Sequence, residues 1–340
     1  MNWGIIGLGH MGKQFANSIK EVEKSSLIGI SSKSFFKLIK FGLKYNIKIK
    51  YLFRNYEEIL LCKEIDNIYI GTLNNTHYDL IEKCIEAKKN ILCEKPFVIN
   101  FDQAKNIRDK LKNSNILFLE AIAYRSHPQI RNVIDLIKSN TIGNVIKINS
   151  SFGFNAGAPK NNSRLFSKKL GGGSILDLGC YPVSISNLIA NISLNLKKNI
   201  PVLKNVNGKI YNSEIDLNAK AELVYENGVR SEISVSINEN LDNTTTIFGS
   251  TGKLIILNPW LPGKESIIEI HKDNQIEKIK TKSDLSIFAS QIDCFNKNIE
   301  KRNLECDYPS MSIDNSVDCM QIITDWKNKI FENENKKFKK

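Results

Sequence analysis

The feature that most constrains the fold is a glycine-rich turn near the start of the chain. Residues 7–12 read Gly-Leu-Gly-His-Met-Gly, which overlaps an apolar strand pattern (Trp3–Leu8) and opens a stretch of helix length. In a βαβ unit that binds a dinucleotide, the three glycines allow a tight turn, close approach of the backbone to the pyrophosphate, and packing of helix on strand. The helix N-terminus near Met11 then presents free N–H groups to the pyrophosphate. The predicted cofactor contacts in this loop are Gly7, Gly9, His10, Met11 and Gly12.

The first 120 residues alternate short strand-like runs with amphipathic stretches, which is typical of a parallel sheet flanked by helices. We therefore predict an α/β Rossmann domain with a doubly wound parallel sheet over residues 1–122. The predicted strands are Trp3–Leu8, Leu27–Ser31, Ile68–Gly71, Asn90–Cys93 and Ile116–Ala121, and the predicted helices lie near Met11–Glu23, Phe35–Tyr45, Asn75–Lys88 and Asp102–Lys112.

The pattern changes after about residue 145, where apolar and polar residues alternate as in an antiparallel sheet with one exposed face. We predict that residues 123–333 form an α+β domain for substrate binding and oligomerisation, with a mostly antiparallel open sheet, followed by a disordered basic tail at 334–340. A sheet covered on one side leaves an apolar face, so we expect a homodimer or homotetramer. The predicted strands are Val145–Phe152, Ala219–Tyr225, Val229–Ile237 and Lys253–Leu257, and the predicted closing helices are Ser286–Lys301 and Ser312–Phe331.

The formal net charge of +12 raises the question of nucleic-acid binding, because basic proteins gain affinity for phosphate backbones. The excess lysines are spread along the chain, and the one dense basic run lies in the C-terminal tail. The sequence contains no basic stripe interleaved with aromatic residues, which nucleic-acid-binding surfaces carry. We therefore predict no nucleic-acid partner.

Other compositional features concern location and metals. No apolar run approaches the roughly 20 residues of a membrane-spanning helix, and the strand pattern at the start leaves no room for a secretory signal. The 7 cysteines are scattered and contain no Cys-x-x-Cys pair, and the 4 histidines lack ligand spacing. We predict a soluble cytoplasmic protein with no membrane partner and no metal.

The segment after the second predicted strand bears on the choice of cofactor. Sites that prefer NAD usually place Asp or Glu there for the ribose 2′-hydroxyl, whereas a 2′-phosphate favours hydroxyl groups and a cation. Residues 31–34 read Ser-Ser-Lys-Ser and contain no acid. We predict that Ser32 and Lys33 contact the cofactor and that NADP(H) is favoured over NAD(H). The alternative is that these serines only cap the helix at Phe35.

Three further motifs carry a family resemblance. Asn74–His77 and Cys93–Pro96 each follow a predicted strand, at the edge where open α/β sheets bind ligands. Residues 171–182 read Gly-Gly-Gly-Ser-Ile-Leu-Asp-Leu-Gly-Cys-Tyr-Pro. Together they resemble the glucose–fructose oxidoreductase / inositol dehydrogenase / MocA family, with its Glu-Lys-Pro after the fifth strand and its Asp-x-Gly-x-His or Asp-x-Gly-x-Tyr in the second domain. The resemblance extends to Glu120–Ala121, Tyr124–Arg125, Ile247–Gly252 and the two closing helices.

The resemblance implies an NAD(P)-dependent oxidoreductase that moves a hydride between the nicotinamide and a hydroxyl or carbonyl of a sugar, cyclic polyol or trans-diol. It implies that Lys95 lies beside the nicotinamide, that Asp177 binds substrate hydroxyls, and that residue 181 acts in proton transfer. Tyr181 stands where sugar and inositol dehydrogenases have histidine, as in the branch with dimeric dihydrodiol dehydrogenase and NADP-dependent xylose dehydrogenase. Leu73 stands where many relatives have proline. The further implied contacts are Thr72, Asn74, His77, Glu94 and Lys95 for the cofactor, and Lys95, Arg125, Asp177 and Tyr181 for the substrate.

The chemistry of these residue types agrees with this assignment. Hydride transfer from an alcohol needs a base for the hydroxyl proton, and the reverse reaction needs an acid. Tyrosine has an ordinary pKa of about 10, and an ammonium such as that of Lys95 would stabilise its phenolate. If the segment is helical, Asp177 and Tyr181 stand one turn apart on one face. Because proline is tolerated only in the first turn of a helix, Pro182 allows the alternative that Asp177 lies in the loop before it.

Each candidate also has a structural alternative. A lysine at a strand end is often solvated, an aspartate can cap a helix, and an interior tyrosine can have a satisfied hydroxyl without a catalytic role. His77 is more often a packing residue than a catalyst, and His10 fills a variable position of the glycine loop. Arg125 can equally pair with a surface carboxylate.

Two other classes of function stay open. A dinucleotide-binding regulator keeps the glycine loop but could dispense with Lys95, Asp177 and Tyr181. An NAD-assisted hydrolase or lyase oxidises a sugar transiently on tightly held NAD and then reduces it again. The substrate is a carbohydrate-like small molecule whose identity the sequence does not define. The loop over residues 153–170 has no readable code, although Arg164 and its neighbouring lysines suit a phosphorylated sugar as well as an exposed loop.

Overall fold

The computed structural model describes residues 1–159, 163–194, 200–212 and 214–337. The chain divides into two compact units. The first unit contains Met1–Ser126 and Asp284–Val317, and the second contains His127–Ser283 and the residues from Asp318 onward. Within the predicted tail, residues 334–337 belong to the last helix rather than to a disordered segment, and residues 338–340 lie outside the described residues.

The first unit is built on a six-stranded sheet. Its strands are β1 (Asn2–Ile6), β2 (Ser26–Ser31), β3 (Leu52–Phe53), β4 (Asn67–Ile70), β5 (Asn90–Cys93) and β6 (Phe118–Glu120). Its helices are α1 (His10–Ser18), α2 (Phe35–Lys44), α3 (Tyr56–Leu61), α4 (His77–Glu86), α5 (Phe101–Lys112) and α9 (Ile287–Glu300). The strand order is β3-β2-β1-β4-β5-β6, and the neighbouring strands are parallel. This order confirms the predicted Rossmann domain.

Burial on both faces explains why these strands form the centre of the unit. Every residue of β4 is buried. Trp3 of β1 packs between Phe15 of α1 and Phe295 of α9, with ring centroids 5.2 Å and 5.0 Å away. Phe15 also stacks on Tyr69 of β4 at 4.2 Å. Strands covered on both sides form near-continuous apolar runs, which is why the sequence pattern predicted five of the six strands but not β3, which has only two residues.

The second unit contains an eight-stranded sheet. Its strands are β7 (Val145–Gly153), β8 (Val202–Tyr211), β9 (Ile215–Val224), β10 (Arg230–Ser236), β11 (Thr245–Gly249), β12 (Lys253–Ile256), β13 (Glu265–Lys272) and β14 (Gln275–Lys282). Its helices are α6 (Pro128–Lys138), α7 (Ser174–Leu178), α8 (Cys180–Leu194) and the part of α10 (Ile313–Lys337) from Asp318 onward.

The strand order in this sheet is β14-β13-β12-β11-β7-β10-β9-β8. Neighbouring strands are antiparallel except β7 and β10, which are parallel. This confirms the predicted mostly antiparallel sheet. The alternating sequence pattern predicted β7, β9, β10 and β12 but not the other four strands. The edge strands β8 and β14 are largely exposed and polar, so they lack the alternation that marks a half-buried strand.

One face of this sheet packs against α7 and α8, whereas the other face carries mostly half-buried or exposed side chains. Ion pairs cross the strands on the second face, joining Lys147 to Glu232 at 2.7 Å. A further pair joins Glu269 to Lys278 at 3.2 Å. Half-buried apolar side chains such as Phe248 share this face. The face is therefore mixed, and the expectation of an apolar face was wrong.

Three further observations concern the described residues as a whole. No single helix among them is both long and apolar enough to cross a membrane, although one bent pair, Lys168–Leu178 with Cys180–Ile192, has the length and composition. They contain no group of three or more His, Cys, Asp or Glu side chains that could hold a metal ion. The seven cysteines, all of them in this part of the chain, form no disulfide bond.

Candidate active site

The glycine loop lies between β1 and α1, where the sequence predicts it. Gly7 has a φ of +101°, which residues with a side chain rarely adopt, and a Cβ there would lie 2.6 Å from the carbonyl oxygen of Gly71. A Cβ on Gly12 would lie 2.3 Å from the carbonyl oxygen of Gly7. These two glycines therefore let α1 pack directly on the loop and on the neighbouring strand.

The middle glycine of the loop faces open space. Gly9 is exposed, and a Cβ added to it would meet no heavy atom within 4 Å. Gly9 is the N-cap of α1, and no side chain forms a capping hydrogen bond there. The first-turn N–H groups of a helix have no partner inside the helix, so this end favours an anion. The loop thus fits the pyrophosphate of a dinucleotide, with the exposed His10 and the half-buried Met11 following it.

The end of β2 carries the polar groups predicted to select the cofactor. Ser34 is the N-cap of α2 and accepts the backbone N–H of Lys37 at 3.4 Å. Ser32 is buried, and its hydroxyl oxygen accepts the N–H of Ser34 at 3.2 Å. Lys33 is exposed. The helix-capping alternative therefore applies to Ser34, while the predicted cofactor contacts of Ser32 and Lys33 stay predictions.

The loops after β4 and β5 are joined through His77. Its ring is fully buried, with Nδ1 2.9 Å from the carbonyl oxygen of Pro96 and Nε2 3.3 Å from that of Thr72. The hydroxyl of Thr76 donates to Oγ1 of Thr72 at 2.7 Å. His77 therefore has a structural role in fixing the two loops. Direct contacts of His77, Thr72 and the buried Asn74 with the cofactor stay predictions.

Two buried carboxyl groups accompany Lys95 at the ends of β5 and β6. Glu94 accepts a hydrogen bond from the hydroxyl of Tyr69 at 2.6 Å, and Glu120 accepts the backbone N–H of Phe97 at 3.1 Å. Burial raises the pKa of Glu120 to about 7, although the Lys95 ammonium acts to lower it. Lys95 is half-buried. Lys95 and Glu120 therefore interact electrostatically at the carboxyl edge of the sheet, and Lys95 is not a fully solvated surface lysine.

Arg125 lies in the first unit and is buried, with 3% of its surface exposed. Its Nε–H donates to the carbonyl oxygen of Pro309 at 2.6 Å, which ties the turn after β6 to the segment between α9 and α10. This partner is a backbone carbonyl group, so the alternative in which Arg125 pairs with a surface carboxylate does not apply to this contact. A role of Arg125 in substrate binding stays a prediction.

In the second unit, Asp177 and Tyr181 lie on two consecutive helices. Asp177 is in α7, Tyr181 is in α8, and Gly179 separates the two helices. Pro182 lies in the first turn of α8, where proline is tolerated. The alternative of Asp177 in a loop is therefore wrong, and the single continuous helix is replaced by two helices. Asp177 is buried, whereas Tyr181 is half-buried.

An ion pair holds the carboxylate of Asp177. Nη1 of Arg164 lies 2.9 Å from Oδ1 of Asp177, and the side chains are 46% and 6% exposed. A Cβ on Gly172 would lie 2.5 Å from the carbonyl oxygen of Arg164, so this glycine lets the turn Arg164–Phe166 lie directly on the start of α7. Arg164 lies in the loop over residues 153–170, whose sequence pattern predicts no specific role for it. The glycines before Asp177 were the signal that this loop packs against it.

Two aromatic residues hold the ring of Tyr181. The Phe152 ring contacts it edge to face at 5.0 Å between centroids, and the Trp260 ring does so at 5.6 Å. Nε1–H of Trp260 donates to the carbonyl oxygen of Ser151 at 2.9 Å, which fixes the indole. Neither aromatic residue could be predicted from the sequence, because both are remote from Tyr181 along the chain and no local pattern marks them.

A buried carboxylate also occupies the start of α7. Asp216 of β9 is fully buried, and its Oδ2 accepts the hydroxyl of Ser174 at 2.8 Å and the N–H of Ile175 at 2.6 Å. Its Oδ1 lies 2.3 Å from the position that a Cβ on Gly173 would occupy. Asp216 therefore caps the helix that carries Asp177. Asp216 was not among the predicted site residues, because it lies on β9, which is distant from α7 in sequence.

Comparison with known proteins agrees with this architecture. A family model described as "Oxidoreductase family, NAD-binding Rossmann fold" matches residues 1–121, and the model of the "GFO/IDH/MocA C-terminal domain" matches residues 130–255. The chain belongs to the GFO/IDH/MocA oxidoreductase family, which confirms the resemblance seen in its motifs. It is accordingly an NAD(P)-dependent oxidoreductase.

Relatives of known activity and of known structure resemble the chain over most of its length. Trans-1,2-dihydrobenzene-1,2-diol dehydrogenase from Xenopus tropicalis is 27% identical over 278 residues, which cover 81% of this chain and 80% of that protein. The Mus musculus enzyme is 26% identical over 264 residues, covering 77% and 76%.

Solved structures of other oxidoreductases share the fold. Aldose-aldose oxidoreductase from Caulobacter crescentus, complexed with glycerol, superposes with a TM-score of 0.86 at 19% identity and 98% coverage of both chains. KijD10, a 3-ketoreductase from Actinomadura kijaniata in complex with NADP and TDP-benzene, gives a TM-score of 0.82 at 19% identity and 95% coverage of both chains.

Proposed function

We propose that the protein transfers a hydride between NADP(H) and a hydroxyl or carbonyl group of a carbohydrate-like small molecule, such as a sugar, a cyclic polyol or a trans-diol. One observation carries the proposal: the open glycine loop and Lys95 lie at the carboxyl edge of the same parallel sheet. Ligands of open α/β sheets bind at this edge. The names of the relatives, a diol dehydrogenase and an aldose-aldose oxidoreductase, support the substrate class.

The candidate residues would have distinct roles in this reaction. The nicotinamide, when bound, supplies or accepts the hydride. During reduction Tyr181 donates a proton to the carbonyl oxygen of the substrate, and during oxidation it accepts the proton of the hydroxyl group. The Lys95 ammonium stabilises the tyrosinate that oxidation needs. Asp177, held by Arg164, accepts a hydrogen bond from a neighbouring hydroxyl, and Arg125 stays a further candidate for substrate contact.

Ser32 and Lys33 support the preference for NADP(H) over NAD(H). The buried hydroxyl and the exposed ammonium occupy the segment where NAD-preferring sites carry a carboxylate. A charge-assisted hydrogen bond contributes about 1.5–3 kcal/mol, or roughly one to two decades in affinity. Binding of both cofactors to the wild type and to Lys33→Ala measures this preference, which the substitution should narrow. A wild type that binds NAD⁺ more tightly than NADP⁺ contradicts it.

Incubation with NADP⁺ or NAD⁺ and a panel of aldoses, inositols and trans-diols tests the reaction itself. We expect net reduction of the cofactor, measured by the absorbance of the reduced nicotinamide, with at least one of these substrate classes. Product without net reduction would indicate the internal redox cycle of an NAD-assisted hydrolase or lyase. Dinucleotide binding without any product would indicate a regulator.

Oligomeric state and location belong to the same proposal. We expect a homodimer or homotetramer, because half-buried apolar side chains such as Phe248 lie between the ion pairs on the mixed face of the second sheet, which a partner subunit would cover. Light scattering that reports a particle of 38.6 kDa at micromolar concentration would contradict this. The lack of disulfide bonds among the cysteines supports a reducing, cytoplasmic location.

A further inference from the structure

Strands β2 and β3 end side by side at the edge of the first sheet. Ser31 of β2 pairs with Phe53 of β3, and the N–H of Ser32 donates to the carbonyl oxygen of Phe53 at 3.2 Å. The residues that follow, Lys33 and Arg54, therefore leave the sheet next to each other. Lys33 is the cation already proposed for the 2′-phosphate of NADP(H). Arg54 is not among the cofactor contacts predicted from the sequence.

Each of these two cations lies over an aromatic ring of the other segment. Nζ of Lys33 lies 5.4 Å from the ring centroid of Tyr56, which opens the helix after β3. Cζ of Arg54 lies 5.4 Å from the ring centroid of Phe35, which opens the helix after β2. Two cation–π contacts therefore interlock the segments. Phe35 is 57% exposed, so the guanidinium rests on a ring that is itself open to solvent.

The nearby carboxylates among the described residues pair with neither cation, so both cations are available to bind an anion. In the described part of the chain, neither the Lys33 ammonium nor the Arg54 guanidinium belongs to an ion pair. Glu58 accepts the backbone N–H of Arg54 at 3.3 Å rather than its guanidinium. Glu57 is hydrogen-bonded to Lys83, which lowers the pKa of its carboxyl group, and the charge of Lys33 makes a smaller contribution in the same direction. The two head groups therefore form an exposed positive pair at the end of β2 and β3.

We propose that Arg54 is a second cation of the 2′-phosphate site and that Phe35 supports its guanidinium there. The inference rests on the proposed NADP(H) dependence and extends it. A phosphate monoester carries nearly two negative charges and three strong acceptor oxygens at neutral pH, which exceeds what one lysine satisfies. A guanidinium donates two parallel hydrogen bonds to a phosphate, whereas an ammonium acts as a point charge. Ser32, Lys33 and Arg54 thus contribute a hydroxyl, an ammonium and a guanidinium.

Calorimetric titration with 2′,5′-ADP and 5′-AMP tests the proposal without turnover. In the wild type, 2′,5′-ADP should bind at least about tenfold more tightly than 5′-AMP, since only 2′,5′-ADP carries the 2′-phosphate. Arg54→Ala should weaken 2′,5′-ADP binding about tenfold and change 5′-AMP binding less than about twofold. Lys40→Ala is the control because it removes one positive charge from an exposed lysine of α2 that lies outside the proposed site. It should change both affinities by less than about twofold.

A second variant separates charge from geometry. Arg54→Lys keeps the charge and loses the planar fork, so it should recover only part of the affinity for 2′,5′-ADP. Arg54 is exposed, so these variants should keep the melting temperature of the wild type. The inference is overturned if Arg54→Ala binds 2′,5′-ADP as tightly as Lys40→Ala does while Lys33→Ala loses this binding. That result would leave the preference for NADP(H) standing. A wild type that does not distinguish the two ligands overturns the preference and the inference with it.

Discussion

Two helices begin directly behind a glycine-rich segment, one in each unit, and their N-terminal ends have different surroundings. The first helix, α1, begins behind Gly9, which is exposed and has open space around it. The second helix, α7, begins behind Gly173, whose lack of a Cβ leaves room for the buried Asp216 carboxylate. The first helix end is open to an external anion. The second helix end already holds an anion from the protein itself.

This difference shows two uses of glycine at the start of a helix. In the first unit Gly7 and Gly12 allow close packing within the loop, and Gly9 allows access from outside. In the second unit Gly172 and Gly173 both allow close packing against other parts of the chain. A glycine-rich sequence therefore predicts a close approach to the backbone. The surroundings decide whether the approaching group is a ligand or part of the protein.

The largest expected effect is on turnover, and it concerns one candidate residue in each of the two units. Lys95→Met in the first unit and Tyr181→Phe in the second should each lower turnover by roughly two to four decades, the usual range for general acid–base groups. Binding of the adenosine end of the cofactor should survive. If Lys95 stabilises the tyrosinate as proposed, the double variant should lose little more than the worse single variant.

Steady-state rates across pH for the wild type, the two single variants and the double variant measure this coupling. Dinucleotide affinity, measured in the same four proteins, controls for loss of the cofactor site. Near-wild-type turnover in Tyr181→Phe would remove Tyr181 from the mechanism and leave Lys95 as the sole candidate. Fully additive losses would show that the two residues act independently.

The two sides of the comparison also differed in how far the sequence predicted them. The cofactor loop was predictable because its three glycines and the flanking strand and helix are local in the sequence. The surroundings of Asp177 were not, because Arg164, Asp216 and the aromatic contacts of Tyr181 come from separate segments. The proposed contact of Arg54 could not be predicted for the same reason, since Arg54 and Lys33 follow two different strands that pair in the sheet. Strand pairing brings such residues together, and no local pattern encodes it.

Alanine substitutions at three glycines test the comparison directly. Gly12→Ala and Gly172→Ala place a Cβ 2.3 Å and 2.5 Å from the backbone carbonyl oxygens of Gly7 and Arg164. Each should lower the free energy of unfolding by about 3 kcal/mol, because the backbone must shift. Gly9→Ala meets no atom within 4 Å. It should change stability by about 0.5 kcal/mol or less but weaken dinucleotide binding, since a methyl group then enters the open space.

Urea unfolding and dinucleotide titration of the three variants separate these effects. Gly172→Ala should retain dinucleotide affinity under conditions where it is folded, in contrast to Gly9→Ala. If Gly9→Ala destabilised the protein as much as Gly12→Ala does, the loop would be closed and the contrast between the two helix ends would be lost.

Each unit also contains a buried carboxyl group near its candidate residues, and the one in the first unit should make stability depend on pH. Burial raises the pKa of Glu120 from its ordinary 4.5 to about 7. Between these two pH values the folded protein holds a proton that the unfolded chain has lost. The proton on Glu120 therefore makes its full contribution to the free energy of unfolding below about pH 4.5. This contribution is lost as the pH rises through about 7. At about 1.4 kcal/mol per pKa unit, the full effect is about 3 kcal/mol.

Glu120→Gln isolates this contribution, because glutamine does not ionise and still offers an oxygen to the N–H of Phe97. The variant should be as stable as the wild type below about pH 4.5 and more stable at pH 8, by up to about 3 kcal/mol. Thermal midpoints from pH 4 to pH 8.5 measure the difference. Parallel pH profiles for the two proteins would show that Glu120 does not hold a proton in the folded state.

A smaller loss of stability than at Gly12, Gly172 or Glu120 is expected at the closed helix end. Asp216→Ala leaves the N–H of Ile175 and the hydroxyl of Ser174 without their acceptor and should cost about 1–2 kcal/mol of stability. Asp216→Asn keeps one acceptor oxygen and should cost less. Because α7 also carries Asp177, Asp216→Ala should raise the KM of the substrate and leave dinucleotide affinity unchanged. If unfolding and kinetics of Asp216→Ala matched the wild type, this carboxylate would not hold the helix, and the second helix end would be as open as the first.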